Sequence, residues 1–232
     1  MIISQYNNNH LSLLSIYLMA MISILNYMTL YNYISLISLM IGIYLHIRGY
    51  SVLKYLLPFI FYTLIIEVFL NYYLSKTYGT SEKMYSYFSF TCALFYLFQY
   101  YLHFKEQPWS KYLVYAIFVW ILSSLYIFYS AKSDMVFLPY YLGFGLIIPL
   151  IFKYFYNMLY IDKYRSVKNE PLFYFSLGLL LFSFTTFPIL VFLDVLILHE
   201  IGRSTVSTIL QYGNVFISAG YLAAVLCTKK SS

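Results

Sequence analysis

One carboxyl group interrupts a run that is otherwise free of charge. Glu67 lies in Tyr62-Thr63-Leu64-Ile65-Ile66-Glu67-Val68-Phe69-Leu70, and residues 55–75 hold no other Asp, Glu, Lys or Arg. In a membrane-spanning helix such a group costs about 2–3 kcal/mol or more unless it is neutral, paired or hydrated. The expectation is therefore that Glu67 looks into a helix bundle and away from lipid. Two roles suit it there: a carboxyl that contacts a ligand or handles a proton, or a buried acid that hydrogen-bonds a neighbouring helix for assembly. Glu67 is expected about seven residues, or roughly 10 Å, from the outer end of its helix. The same depth in other spans reaches Thr91, Ser123 or Ser124, Thr185 or Thr186, and Gln211. These side chains read either as a polar layer lining an outward pocket or as interhelical hydrogen bonds. Gln211 and Asn214 are three residues apart, so both are expected on one helix face. Glu67, Thr91, Gln211 and Asn214 form the candidate ligand-binding set. Gly213, Ser218, Ala219 and Gly220 are small and mark a face suited to close helix packing.

Other chemistries find less footing. His46 and His103 fall near one set of helix ends, His199 in the last outer connector and His10 in the N-terminal segment. No His-Glu-x-x-His or clustered histidine box occurs, and no metal site is assigned. There is no Gly-x-Ser-x-Gly elbow and no phosphate-binding Gly-rich loop. The last span has no lysine for a retinal Schiff base. Asp194, His199, Glu200 and Arg203 form a charged connector, either a solvated loop or a lid over the pocket. Cys92 and Cys227 are expected toward opposite faces, too far apart for a disulfide.

The elements that must position these groups are written in the charge pattern. Residues 84–104, 112–131, 135–152, 171–193 and 204–228 carry no Asp, Glu, Lys or Arg. A span needs about 20 mostly apolar residues to cross roughly 30 Å of hydrocarbon. Of the 232 residues, 62% are hydrophobic and 9% charged, against about 25% charged in soluble domains. Mean hydropathy is +0.74. Soluble and disordered classes are excluded, and the chain reads as an all-α, polytopic membrane helix bundle. Seven spans are expected, at about 30–47, 53–74, 84–104, 112–131, 136–157, 172–194 and 204–227, with an eighth if the N-terminal segment inserts. Pro108 and Pro171 suit helix starts; Pro58, Pro139, Pro149 and Pro188 fall in or near spans and suggest kinks.

Residues 1–28 read as an apolar extension, either interfacial or an extra span; 29–228 as the bundle; and 229–232 as a cytoplasmic tail. Ten of the 14 Lys and Arg residues fall in alternate connectors and the C-terminus, among them Arg48, Lys105, Lys111, Lys153, Lys229 and Lys230. The positive-inside rule then sets the N-terminus outside and the C-terminus in the cytoplasm. The net charge of +6 comes from scattered helix-end positives, not from a basic block, so nucleic acid is not an expected partner. The abundance of Tyr (30) and Phe (21) suits a membrane, although AT-rich coding bias produces the same excess. No internal repeat of the transporter kind is evident.

Asn169-Glu170-Pro171-Leu172-Phe173-Tyr174 opens the sixth span, followed by Gly178 and by Phe182, Phe184 and Phe187. Asn214 lies midway along the last span. Earlier, Glu67 is followed by Met84-Tyr85-Ser86-Tyr87-Phe88 at the start of the third span. Over about residues 30–228 this pattern resembles uncharacterised multi-pass bacterial membrane proteins, which are similar to the seven-helix input regions of bacterial sensor kinases. The sequence departs from that pattern in two places. No acidic residue occurs around Thr91-Cys92-Ala93, and no histidine occurs near Ser204–Ser207. The resemblance implies a sensory module of the bacterial cytoplasmic membrane whose output is carried by a separate cytoplasmic partner.

The functional expectation is a non-enzymatic sensory or accessory protein that binds a small or lipid-like ligand near Glu67 in the outer half of the bundle. One alternative is an enzyme acting on lipid or isoprenoid substrates with Glu67 as acid or base. Another is a proton-coupled transporter with Glu67 as the proton site.

Overall fold

The computed structural model describes residues 28–51, 55–70, 82–130, 138–161, 169–191 and 203–230. The expected extension over 1–28 lies outside these residues except for Met28. Seven helices occur among the described residues: α1 (Leu30–Ile47), α2 (Leu56–Leu64), α3 (Glu82–Phe104), α4 (Ser110–Ser130), α5 (Leu138–Tyr156), α6 (Pro171–Val191) and α7 (Arg203–Leu226). They fall where the charge-free runs place spans, with ends shifted by a few residues. Helices are the natural solution, because hydrocarbon offers no partner for a free backbone N–H or C=O. Five of the seven (α1, α4, α5, α6 and α7) are long and apolar enough to cross a membrane by length and composition. The molecule is an all-α membrane bundle.

Among the described residues α-helical geometry is broken twice. Helix α2 continues as a π-helical segment over Ile65–Leu70, and α5 continues as one over Asn157–Ile161. Pro171 is the first residue of α6, as expected, while Pro149 and Pro188 lie inside α5 and α6. Gly49 ends α1 with φ of 80°, a left-handed conformation that suits glycine after a helix C-terminus. Two residues then form β1 (Tyr50–Ser51), which pairs antiparallel with β2 (Lys229–Lys230). The first two residues of the expected cytoplasmic tail, 229 and 230, thus pair with the chain just after α1.

Helices in lipid gain little from burying apolar surface against one another; close packing and hydrogen bonds hold them. Helix α7 packs against both α6 and α1. At the α6–α7 crossing Gly178 faces Gly220 so closely that a methyl group at either would strike the other's backbone. Gly213 meets Thr186 in the same seam. Gly143 of α5 lets Ala93 and Trp120 approach, and Gly42 of α1 receives Leu57 and Val225. Helix α3 runs through the middle. Its Phe95 stacks on Phe59 of α2 at 3.8 Å between ring centroids, and its Tyr96 meets Phe144 and Phe175 edge-on. Its Gln99 and Tyr100 are also buried. These polar groups sit inside the protein, so the central helix tolerates a composition less apolar than its lipid-facing neighbours.

Helix α4 shows the opposite case. It buries only Leu113, Trp120 and Ser124, one stripe at spacings of seven and four. Phe118, Val119, Leu122 and Leu125 are exposed, as suits a face whose solvent is lipid.

Candidate functional site

The N-terminus of α1 orients the site. Thr29 precedes the helix, and the Asn32 side-chain Oδ1 accepts both the Thr29 backbone N–H (3.0 Å) and its hydroxyl (2.8 Å). Both bonds run from Thr29 to the Asn32 amide oxygen, and they fix which way the amide points. Its Nδ2 is left to donate, and it donates to Glu67 Oε2 at 3.1 Å. Tyr31 hydrogen-bonds the same carboxyl. Glu67 therefore sits against the first turn of α1, where the helix dipole is positive and favours an acid. The π-helical segment presents it there: an extra residue per turn rotates everything beyond it relative to an unbroken α2.

Glu67 opens onto a cavity of about 150 Å³. Six of the seven helices contribute to its wall. Ser35 of α1 and Ser218 of α7 are joined by a 3.0 Å hydrogen bond. Tyr96 of α3 and Tyr221 of α7 share one of 2.9 Å. Tyr140 comes from α5 and hydrogen-bonds Thr186. Phe88, Phe182 and Ile217 supply apolar wall, and Asn214 adds an amide. The described wall thus has one carboxyl, a surround of aromatic rings, and two pairs of hydroxyls engaged with each other. Among the described residues that line it there is no lysine, arginine or histidine.

Of the sequence-derived set, the structure brings Glu67 and Asn214 together and separates the other two. Thr91 is not part of the cavity wall. Its hydroxyl donates to the Phe88 carbonyl (2.8 Å) and accepts from Tyr62 (2.8 Å), so it joins α2 to α3 beside the site. Gln211 is exposed on the outer surface of α7. A three-residue step turns the helix by about 60° from eclipsed, which is enough at the edge of a packed face to place Asn214 inside and Gln211 outside. The wider polar layer also resolves into local bonds. Ser124 donates to the Trp120 carbonyl, Thr185 to Leu181, and Thr186 to Phe182, each within its own helix. The small-residue face of α7 is a packing seam, as expected, for Gly213, Ser218 and Gly220; Ala219 points outward.

Sequence reasoning missed Asn32, Ser35, Tyr96, Tyr140 and Tyr221. A signal for the first two exists. Asn32, Ser35, Ser38 and Gly42 recur at helical spacing along α1, and all four are buried. The tyrosines carry no such mark in a chain with 30 of them.

A second cavity, about 340 Å³, lies where α3 ends and α6 begins, and is lined by Gln99, His103, Lys105 and Glu170 among others. Its described lining comes from those two helices and the residues next to their ends. His103 packs edge-on against Tyr154, and His46 is exposed at the end of α1. Among the described residues no three His, Cys, Asp or Glu side chains cluster as a metal would need. Cys92 and Cys227 are both free thiols, the first buried and the second half-buried. The connector with Asp194, His199 and Glu200 lies outside the described residues. Comparison with protein-family models, with curated proteins and with solved structures finds no match.

Proposed function

We propose that this membrane protein is a non-enzymatic sensor or accessory protein that closes its bundle around a small ligand beside Glu67. The observation that carries the reading is the convergence of six helices on one cavity that holds the carboxyl. A ligand in that position touches most of the bundle at once, so its binding biases how the helices pack. Helices α1 and α7 offer a route for the signal. Both line the cavity, where Ser35 meets Ser218, and both lead at their far ends into the β1–β2 pair. A shift of α1 against α7 is therefore delivered to the end that carries Arg48, Lys229 and Lys230. The positive-inside rule assigns that end to the cytoplasm, where a separate signalling partner reads it. All seven helices cross the membrane in this reading, with α2 and the less apolar α3 sheltered within the bundle. The resemblance to the input regions of bacterial sensor kinases supports the same assignment and a bacterial cytoplasmic membrane.

A cavity of this size favours a small ligand over a prenyl or acyl chain. Purification in native lipid, followed by mass spectrometry, tests the proposal. The expected result is a small molecule retained by the wild type and lost from Glu67→Leu of unchanged helix content. Identical small-molecule content in the two proteins would overturn it.

A further inference from the structure

We infer that the ligand of the Glu67 cavity is a small organic cation, an amine or quaternary ammonium of about five to eight heavy atoms. This inference rests on the ligand-binding role proposed above and adds the chemical class. The first argument is charge. The Asn32 amide is locked by Thr29 and gives its N–H to Glu67, and Tyr31 adds a second hydrogen bond. Two donors fill about half of the positions at which a carboxylate accepts hydrogen bonds. Among the described residues its lining offers no Lys, Arg or His to complete the set or to balance the charge. A cation supplies both.

The second argument is the wall. Phe88, Tyr96, Tyr140, Phe182 and Tyr221 surround the cavity with aromatic rings, the surface that quaternary ammonium groups select. The Tyr96–Tyr221 pair has at most one hydroxyl proton left to give to an anion. Tyr96 and Tyr221 bond each other at 2.9 Å, and Tyr140 bonds Thr186. An anionic ligand would meet like charge at Glu67, while a neutral apolar one would leave the carboxyl with only its Asn32 and Tyr31 hydrogen bonds and no countercharge. The third argument is size. The cavity measures about 150 Å³, and a cavity of about that volume in another protein takes up benzene.

Ligand-detected NMR on the full chain in lipid nanodiscs tests the class with three probes of similar bulk: tetramethylammonium, tert-butanol and pivalate. The expected result is saturable binding of tetramethylammonium, not displaced by excess sodium, at least about tenfold tighter than either other probe. Binding falls at least about tenfold in Glu67→Gln. The comparison of probes on the wild type alone keeps the test valid if the variant does not fold. Failure of tetramethylammonium to bind the folded wild type, or equal binding of tert-butanol, overturns the inference. A neutral or anionic molecule found to co-purify with the wild type removes the cation assignment and leaves the ligand-binding role standing. Absence of any co-purifying molecule together with failure of all three probes removes both.

Discussion

Adding one methyl group at the α6–α7 crossing should destabilise the bundle, and the structure sets the size of the effect. A Cβ at residue 178 would lie 2.7 Å from the Gly220 Cα and 2.9 Å from the Phe216 carbonyl oxygen. A Cβ at residue 220 would lie 2.9 Å from the Gly178 Cα and 3.1 Å from the Tyr174 carbonyl oxygen. Carbon atoms in good contact sit about 3.5–4.0 Å apart, so the helices must separate by roughly 1 Å. No rotamer change relieves the clash, because backbone lies on both sides. Overpacking of this kind costs about 1–3 kcal/mol, and its unyielding geometry argues for the upper end. Replacing glycine by alanine within a helix returns about 1 kcal/mol. The net expectation for Gly178→Ala or Gly220→Ala is a loss of about 2 kcal/mol. Gly145→Ala is the control. Nothing lies within 4 Å of its added methyl, so only the gain of about 1 kcal/mol applies. The variants should differ from the control by about 3 kcal/mol in reversible unfolding by SDS in mixed micelles, followed by tryptophan fluorescence. If all three alanine variants are equally stable, α6 and α7 do not cross as described.

Two further expectations address the cavity wall and the orientation. The Ser35–Ser218 hydrogen bond joins α1 to α7, and a double-mutant cycle of Ser35→Ala with Ser218→Ala should show coupling of about 0.6 kcal/mol, the average for such bonds in membrane proteins; strict additivity would mean that the two helices do not meet there. Half-buried Cys227 should react with a membrane-impermeant maleimide only after cells are permeabilised, while buried Cys92 stays unmodified until the protein unfolds. Labelling of Cys227 in intact cells would reverse the assigned orientation.

The helices were legible in the sequence for a physical reason. A charge in hydrocarbon is so costly that its absence over about 20 residues nearly dictates a helix and its limits. Glu67 was legible by the same argument turned round, since a single acid in such a run has to find shelter. The partners that provide the shelter were harder to see. Asn32 does two jobs, capping its own helix and orienting Glu67, and only the first is local in sequence. The π-helical turn that presents Glu67 depends on packing around α2, and no residue in Ile65–Leu70 announces it. Depth counting found Thr91 and Gln211 because it measures height along an axis. It carries no information on which way a side chain faces at that height. Asn214 succeeded and Gln211 failed on that second coordinate alone. Ser124, Thr185 and Thr186 of the expected layer donate to carbonyls of their own helices, so their hydroxyl protons need no distant partner in lipid.

The whole account requires the acid at residue 67 to be walled in by other helices. A lipid-soluble carbodiimide bulkier than the cavity, such as dicyclohexylcarbodiimide, tests this directly, because it modifies carboxyl groups that it reaches from the bilayer. Mass spectrometry of protein treated in lipid should find residue 67 unmodified. Glu67 should become modified once the helices are dispersed in SDS, and an acid placed on the lipid-facing surface by Phe118→Glu should be modified without unfolding. Modification of Glu67 in the intact bilayer at the rate seen for Phe118→Glu would contradict the account.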